Sequence, residues 1–205
     1  MPGRNINKVY TENTFYHVYN RGVNKQLIFL DEQDYTVFLG LLKRYLDPSY
    51  KGTKANRTPY PCYNDKVNLV AYCLMPNHFH LFIYQISADG MKLLLRSVSV
   101  AYGMYFNKKY KRIGPVFQQR YRAVAIRTDE QLLHITRYIH LNPIDYRAWK
   151  WSSLPNYVDS KYSRWVSTYR VLELFENDPV RYLSFVDEYK DKRDELALLK
   201  EELAG

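Results

Sequence analysis

Cysteine and long apolar stretches are scarce in this chain of 205 residues. Its two cysteines, Cys62 and Cys73, form neither a metal-binding nor a redox spacing, which fits a reducing compartment. No apolar run approaches the roughly 20 residues that a membrane-spanning helix needs. A basic N-terminus followed by an apolar core, typical of a signal peptide, is also missing. We therefore expect a cytoplasmic protein with no membrane partner.

Basic residues and tyrosines, by contrast, are abundant. Residues 1–150 contain 22 Lys and Arg against 10 Asp and Glu, whereas residues 151–205 contain 8 against 11. A basic body predicts a polyanionic partner, although charge alone does not separate DNA from RNA or a membrane surface. The 21 tyrosines are either amphipathic filler or stacking platforms for unpaired bases, and both can hold at once.

The hydrophobic pattern predicts an α+β fold. Residues 1–150 alternate strands with helices, and such a pattern suits a ferredoxin-like antiparallel sheet with helices packed on one face. Residues 151–205 follow as a helical C-terminal extension, with an aromatic linker at 149–153. The predicted strands are near 13–19, 67–75, from His78 onward and 119–126, and the predicted helices are near 31–46, 90–110, 128–142, 170–175 and 179–203.

Two histidines stand at the start of the third strand. His78 and His80 follow the turn signal Pro76-Asn77, and alternate strand residues point to the same face. Two neutral imidazoles side by side can hold one divalent metal ion. From this spacing alone, an ordinary half-buried polar pair is the alternative.

A second stripe of polar side chains lies on the last predicted helix of the body. His134, Tyr138 and Asn142 are spaced by four residues and therefore share one helix face, whereas His140 is roughly opposite. His134 is a candidate base for Tyr138 or a phosphate contact. The alternatives are a surface histidine, a buried phenol and an Asn142 that only caps the helix.

The segments Met75–His80 and Arg137–Pro143 resemble the two signatures of the single-tyrosine HUH transposases, the IS200-like superfamily. The resemblance is closest to the REP-associated tyrosine transposases. It implies the HUH endonuclease fold, Tyr138 as nucleophile, and a metal held by His78, His80 and Asn142. Mixed nitrogen and oxygen ligands suit Mg²⁺ or Mn²⁺. The resemblance also implies cleavage and rejoining of single-stranded or hairpin DNA through a 5′-phosphotyrosine.

Basic and aromatic residues outside this core predict the DNA contacts. The candidates are Arg21, Lys108, Lys109, Lys111, Arg112, Arg120, Tyr121 and Arg122, together with the loop residues Lys51, Lys54 and Arg57. For the run 108–112 the alternative is a solvated helix end that interacts favourably with the helix dipole. His17, on the first strand, is predicted to be structural.

Two other function classes compete with the transposase. One is a domesticated DNA-binding protein without cleavage activity, although the His pair and Tyr138 count against it. The other is a relaxase or replication initiator, against which the short chain without helicase motifs argues. The sequence leaves both a monomer and a homodimer open.

Overall fold

Four antiparallel strands form the sheet of this protein in the computed structural model, which describes residues 10–50, 60–159 and 163–192. The strands are β1 (Thr14–Arg21), β2 (Val67–Met75), β3 (His78–Gln85) and β4 (Arg122–Ile126). They lie in the order β2-β3-β1-β4, and each neighbouring pair is antiparallel. With a helix after β1 and another after β3, this is the predicted ferredoxin-like arrangement, and the α+β fold class is confirmed.

Within the described ranges, six α-helices accompany the sheet. They are α1 (Glu32–Leu46), α2 (Gly90–Lys109), α3 (Asp129–Leu141), α4 (Leu154–Val158), α5 (Tyr169–Leu172) and α6 (Pro179–Asp187). Single 3₁₀ turns lie at Val23–Lys25 and Glu173–Phe175. No helix among the described residues has both the length and the apolar character needed to cross a bilayer.

Local capping signals set where the helices of the body begin. The Asp31 side chain accepts a hydrogen bond from the backbone N–H of Asp34, and the Asp34 carboxylate accepts one from the backbone N–H of Asp31, so that α1 starts with a capping box. The Thr128 hydroxyl accepts from the backbone N–H of Gln131 and starts α3. Asp and Thr are both residue types that are preferred at helix N-caps.

The structure corrects one detail of the predicted architecture, because helices cover both faces of the sheet. Along β3, Phe79, Leu81 and Ile83 belong to a core formed with α1 and α2. Phe82, which points the other way, belongs to a second core formed with α3 and the C-terminal helices. Since side chains alternate along a strand, His78 and His80 lie on the α3 face.

The C-terminal extension packs along the outer edge of β2 rather than away from the body. The backbone bonds are Leu74 N–H to Trp151 O at 2.9 Å, Ser153 N–H to Tyr72 O at 2.9 Å and Ser167 N–H to Leu69 O at 2.7 Å. Side chains add to them, since the Tyr157 hydroxyl donates to the Val70 carbonyl at 3.0 Å. The segment predicted as an aromatic linker is thus bound to the sheet, and the predicted helix beyond residue 192 lies outside the described residues.

A buried hydrogen-bond network joins the extension to α3. His140 is fully buried, with Nδ1 2.6 Å from the Tyr182 hydroxyl and Nε2 2.8 Å from the Ser153 hydroxyl. Burial lowers the pKa of His140 to about 3, so the imidazole is neutral at pH 7. Val171 and Val186, both fully buried, complete the same core. The extension therefore helps to hold the helix that carries Tyr138.

Candidate active site

The two histidines of β3 lie next to each other at the start of the strand. Their rings are 4.9 Å apart at 85°, and both lie on the sheet face that α3 covers. In the register of the central pair, His80 is opposite Tyr19 and His78 is opposite Arg21 of β1. The predicted Pro76-Asn77 turn between β2 and β3 is confirmed, and it brings His78 to the end of the sheet.

Hydrogen bonds orient both imidazole rings. Nδ1 of His78 is 2.6 Å from Oδ1 of Asn77, and Nδ1 of His80 is 2.9 Å from Nε2 of His17. When Nδ1 carries the proton in such a bond, the lone pair of the ring is on Nε2. In that tautomer, Nε2 is the nitrogen that each histidine can offer to a metal ion. His17, predicted to be structural, contacts the His pair directly.

Helix α3 brings Tyr138 to the same place. Its hydroxyl lies 3.5 Å from Nε2 of His80, a close contact at the upper limit of a hydrogen bond, and the two rings meet edge to face at 5.2 Å. The side chain of Asn142, one turn further along, lies near enough to influence the pKa of the Tyr138 phenol. Tyr138, Asn142 and His80 thus converge, although His80 and Tyr138 are 58 residues apart.

Burial controls the protonation of Tyr138. It raises the pKa of the phenol well above its ordinary value, while the Asn142 side chain lowers the pKa by a smaller amount. The phenol is therefore protonated at neutral pH, and any role as nucleophile requires that its proton be removed during the reaction.

The donor atoms of this site fit a divalent metal ion that accepts both nitrogen and oxygen ligands. Imidazole nitrogens from His78 and His80, with an amide oxygen from Asn142, form a nitrogen and oxygen set that leaves positions for a substrate oxygen. Within residues 10–50, 60–159 and 163–192, no group of three or more His, Cys, Asp or Glu side chains is arranged to hold a metal ion. A metal ion at this position would therefore take its third ligand from another kind of side chain, such as the Asn142 amide.

His134 has a different environment from the rest of its predicted stripe. Its Nδ1 is 3.0 Å from Nη2 of Arg137, its Nε2 is 3.8 Å from Glu130, and its ring meets Tyr189 of the extension. Burial, and then the Arg137 charge, lower the pKa of His134. These contacts link α3 to the C-terminal residues. None of them is to Tyr138, and the catalytic role of His134 stays a prediction.

Two of the predicted DNA-binding arginines flank the His pair. Arg21 is opposite His78, and Arg122 is opposite Tyr19, which is itself opposite His80. Directly opposed residues of a sheet point to the same face, so both exposed guanidinium groups lie beside the site. Arg21 is oriented by Gln118, whose Oε1 accepts from Nε at 2.6 Å.

The fourth strand begins later than predicted. The side-chain amide of Asn20 donates to the carbonyls of Gln119, at 2.9 Å, and Arg120, at 2.7 Å. These carbonyls are bound by a side chain and not by a neighbouring strand, which explains why β4 starts at Arg122 and not at Gln119. Arg120 is exposed just before the strand.

The remaining residues predicted to contact DNA have different surroundings in the structure. Lys109 forms ion pairs with Asp31 at 2.7 Å and Asp34 at 2.9 Å, so its charge is compensated within the fold. Tyr121 is half-buried and stacks on Tyr10 with ring centroids 6.3 Å apart. The others are Lys108 and Lys111, which are exposed, Arg112, which donates to Gln26 at 3.3 Å, and Lys51, Lys54 and Arg57, which lie outside the described residues.

Comparisons with known proteins cover this region. Residues 55–142 match the family model described as "Transposase IS200 like", a span that contains the His pair, Tyr138 and Asn142. One similar solved structure, a REP-associated tyrosine transposase bound to a REP hairpin, has a TM-score of 0.55 and 14% identity and covers 80% of this chain and 91% of that one. At this identity the likeness shows a common fold.

A second structural likeness is weaker. It is to a bacterial tRNA(His) guanylyltransferase-like protein in complex with GTP, with a TM-score of 0.42, 10% identity and coverage of 68% and 66% of the two chains. No curated protein sequence matches the chain significantly. The family model and the first structure are therefore the comparisons that bear on this site.

Proposed function

We propose that the chain is a metal-dependent single-stranded DNA endonuclease and strand transferase, starting from the match of residues 55–142 to the IS200-like transposase family model. The observation that supports this most is the meeting of Tyr138 with His80 at 3.5 Å. A phenol next to a pair of imidazoles and an amide combines a nucleophile with donor atoms for a metal ion, as metal-assisted phosphodiester cleavage by a tyrosine requires. The solved relative was bound to a REP hairpin, and we extend a hairpin or palindromic substrate to this chain on that likeness.

His78, His80 and Asn142 would hold the ion, which we propose to be Mg²⁺ or Mn²⁺. When bound, such an ion supplies Lewis-acid stabilisation of charge on a non-bridging phosphate oxygen. The residues of the chain have separate tasks. The imidazoles and the amide hold the coordination geometry, and the α3 helix fixes the phenol one turn before Asn142.

The chemical step is an in-line displacement at phosphorus. The Tyr138 oxygen attacks, the new bond between this oxygen and phosphorus forms, and the bond from phosphorus to the 3′ oxygen of the leaving strand breaks. The phenolic proton is lost to solvent or a nearby acceptor, and the leaving oxygen gains a proton to become a free 3′-OH. The 5′-phosphotyrosine keeps the energy of the phosphodiester, so a second 3′-OH can reverse the step and join strands.

Arg21 and Arg122 are proposed to position the substrate. Both are exposed beside the His pair, and arginine binds phosphate with paired, charge-assisted hydrogen bonds. Contacts of this kind fix the register of the strand without reading its sequence. The scissile phosphate would then lie between the guanidinium groups and Tyr138.

The substitution Tyr138→Phe tests the proposal. It removes one oxygen and keeps the ring that packs on His80, so folding and DNA affinity are expected to stay close to those of the native protein. With a cleavable hairpin and Mn²⁺, the native protein should form a protein–DNA adduct that survives denaturing electrophoresis, and the variant should form none. Tyr169→Phe, at an exposed tyrosine of α5 that is not among the predicted contacts, is the control and should form the adduct.

Three outcomes contradict the proposal. No adduct with the native protein on any hairpin tested would favour a DNA-binding protein without cleavage. Cleavage without an adduct in both proteins would favour a metal-activated water as nucleophile. An adduct that persists in the Phe variant would assign the nucleophile to another tyrosine.

A further inference from the structure

His17 lies outside the region that the family model matches, on the first strand, yet it contacts the site. It is buried, and its Nε2 is 2.9 Å from Nδ1 of His80, which is also buried. The two rings are nearly parallel, with centroids 5.1 Å apart. A nitrogen-to-nitrogen distance of 2.9 Å requires one proton between the rings, so one imidazole donates and the other accepts.

We infer that His17 is a positioning residue that holds His80 in the tautomer and ring orientation needed for metal binding. If Nδ1 of His80 carries the shared proton, its lone pair is on Nε2, the nitrogen that lies 3.5 Å from the Tyr138 hydroxyl. The opposite tautomer would put a proton on Nε2 and remove the ligand. Ligand histidines commonly depend on such a second partner. This inference rests on the proposed function.

The surroundings of His17 hold its ring in one orientation. Its ring stacks on Tyr19 with centroids 5.1 Å apart and meets the edge of Tyr138 at 6.0 Å. In the sheet, His17 is opposite Phe82 of β3 on one side and Val124 of β4 on the other. A ring enclosed by these side chains has little freedom to turn, so the orientation of His80 is set by the packing of β1. The partner of His17 is a proposed metal ligand, whereas His140, another buried histidine, bonds only hydroxyl groups of the core.

Two substitutions separate the hydrogen bond from the packing. His17→Phe keeps an aromatic ring and removes the acceptor. His17→Gln has an amide that reaches about as far as Nε2 of histidine and can accept from Nδ1 of His80. We expect His17→Phe to weaken Mn²⁺ binding about 10- to 100-fold, and His17→Gln to restore most of the affinity. Free Mn²⁺ measured by electron paramagnetic resonance, without DNA, gives the affinity independently of cleavage.

His140→Gln is the matched control, because it disturbs a buried histidine outside the site. It is expected to lower the free energy of unfolding and to leave Mn²⁺ affinity unchanged. Nitrogen-15 spectra of the native protein in Mg²⁺ give a second readout and should show His80 with its proton on Nδ1. This measurement keeps the inference testable even if His17→Phe does not fold.

Each result has one reading. Native-like Mn²⁺ affinity in His17→Phe, or equal weakening in His17→Phe and His17→Gln, would overturn the positioning role. A proton on Nε2 of His80 in the native protein would do the same. If His78→Ala and His80→Ala also bind Mn²⁺ like the native protein, the metal site itself is refuted, and the proposed function fails with it. If His78→Ala and His80→Ala lose Mn²⁺ binding but His17→Phe does not, the metal site stands and only the inference on His17 fails.

Discussion

Replacement of Tyr182 by phenylalanine tests how strongly the C-terminal extension is bound to the helix of the nucleophile. Tyr182 is fully buried on α6, and its hydroxyl donates to Nδ1 of His140 at 2.6 Å. The Ser153 hydroxyl donates to the Tyr72 carbonyl, so it must accept from Nε2–H of His140. Nδ1 of His140 then has no proton and accepts from the Tyr182 hydroxyl. The backbone N–H of Tyr72 donates back to the Ser153 oxygen at 2.8 Å.

The substitution removes one oxygen and leaves Nδ1 of His140 without its donor in a dry environment. A buried acceptor that loses its partner costs about 1–3 kcal/mol. For a protein of this length, each kcal/mol corresponds to about 2–4 °C in melting temperature. We therefore expect Tyr182→Phe to lower the free energy of unfolding by about 1–3 kcal/mol and the melting temperature by several degrees, with no change in the ring packing.

Urea denaturation followed by circular dichroism measures this loss directly. Tyr169→Phe is the matched control, because Tyr169 is 48% exposed and its hydroxyl lies at the surface, so its effect should be within about 0.5 kcal/mol. Mn²⁺ affinity and adduct formation should persist in folded Tyr182→Phe. A free energy of unfolding equal to that of the native protein would show that the network does not hold the extension to α3, and the reasoning would be wrong.

Two further predictions concern pH and salt. Because the folded-state pKa of His140, about 3, is below the unfolded value of about 6.5, its contribution to stability is complete above pH 6.5 and is lost as the pH falls toward 3. His140→Gln should therefore flatten the pH dependence of unfolding by about 1.4 kcal/mol per pH unit between these limits, and an equal slope in both proteins would contradict a buried neutral imidazole. Arg122→Ala should lower the log–log salt slope of single-stranded DNA binding by about 0.7, whereas Lys109→Met, which removes a charge already paired with Asp31 and Asp34, should not. Equal effects of both variants on the slope would refute the assignment of DNA contacts by charge compensation.

Local signals in the sequence were sufficient for the elements that carry the site. Asp31 and Thr128 cap their helices through side chains that bond nearby backbone, and the turn at Pro76-Asn77 needs only its own residues. The spacing of Tyr138 and Asn142 is a property of one helix. Such features depend on neighbours within four residues, and a sequence displays them directly.

Features that depend on distant residues were not predictable in this way. The face on which α3 packs is decided by the two cores, and the start of β4 by Asn20, about 100 residues earlier. The role of His17 depends on the register of β1 against β3, which no local pattern indicates. The ion pairs of Lys109 likewise join residues that are 75 and 78 positions apart. In each case the deciding contact is formed only once the sheet has assembled.

The bonds along β2 also decide how this sheet can meet another chain. An uncovered edge strand presents a row of unpaired backbone groups that can template the addition of a foreign strand, which leads to swapped dimers or aggregates. Here four carbonyls of β2 accept hydrogen bonds from the C-terminal part of the chain: Leu69 from Ser167, Val70 from Tyr157, Tyr72 from Ser153 and Leu74 from Trp149. The extension therefore occupies the free edge of β2 and blocks the addition of another strand there. Among the described strands, only β4 remains as an edge for self-association through the sheet, and it is five residues long and carries Arg122.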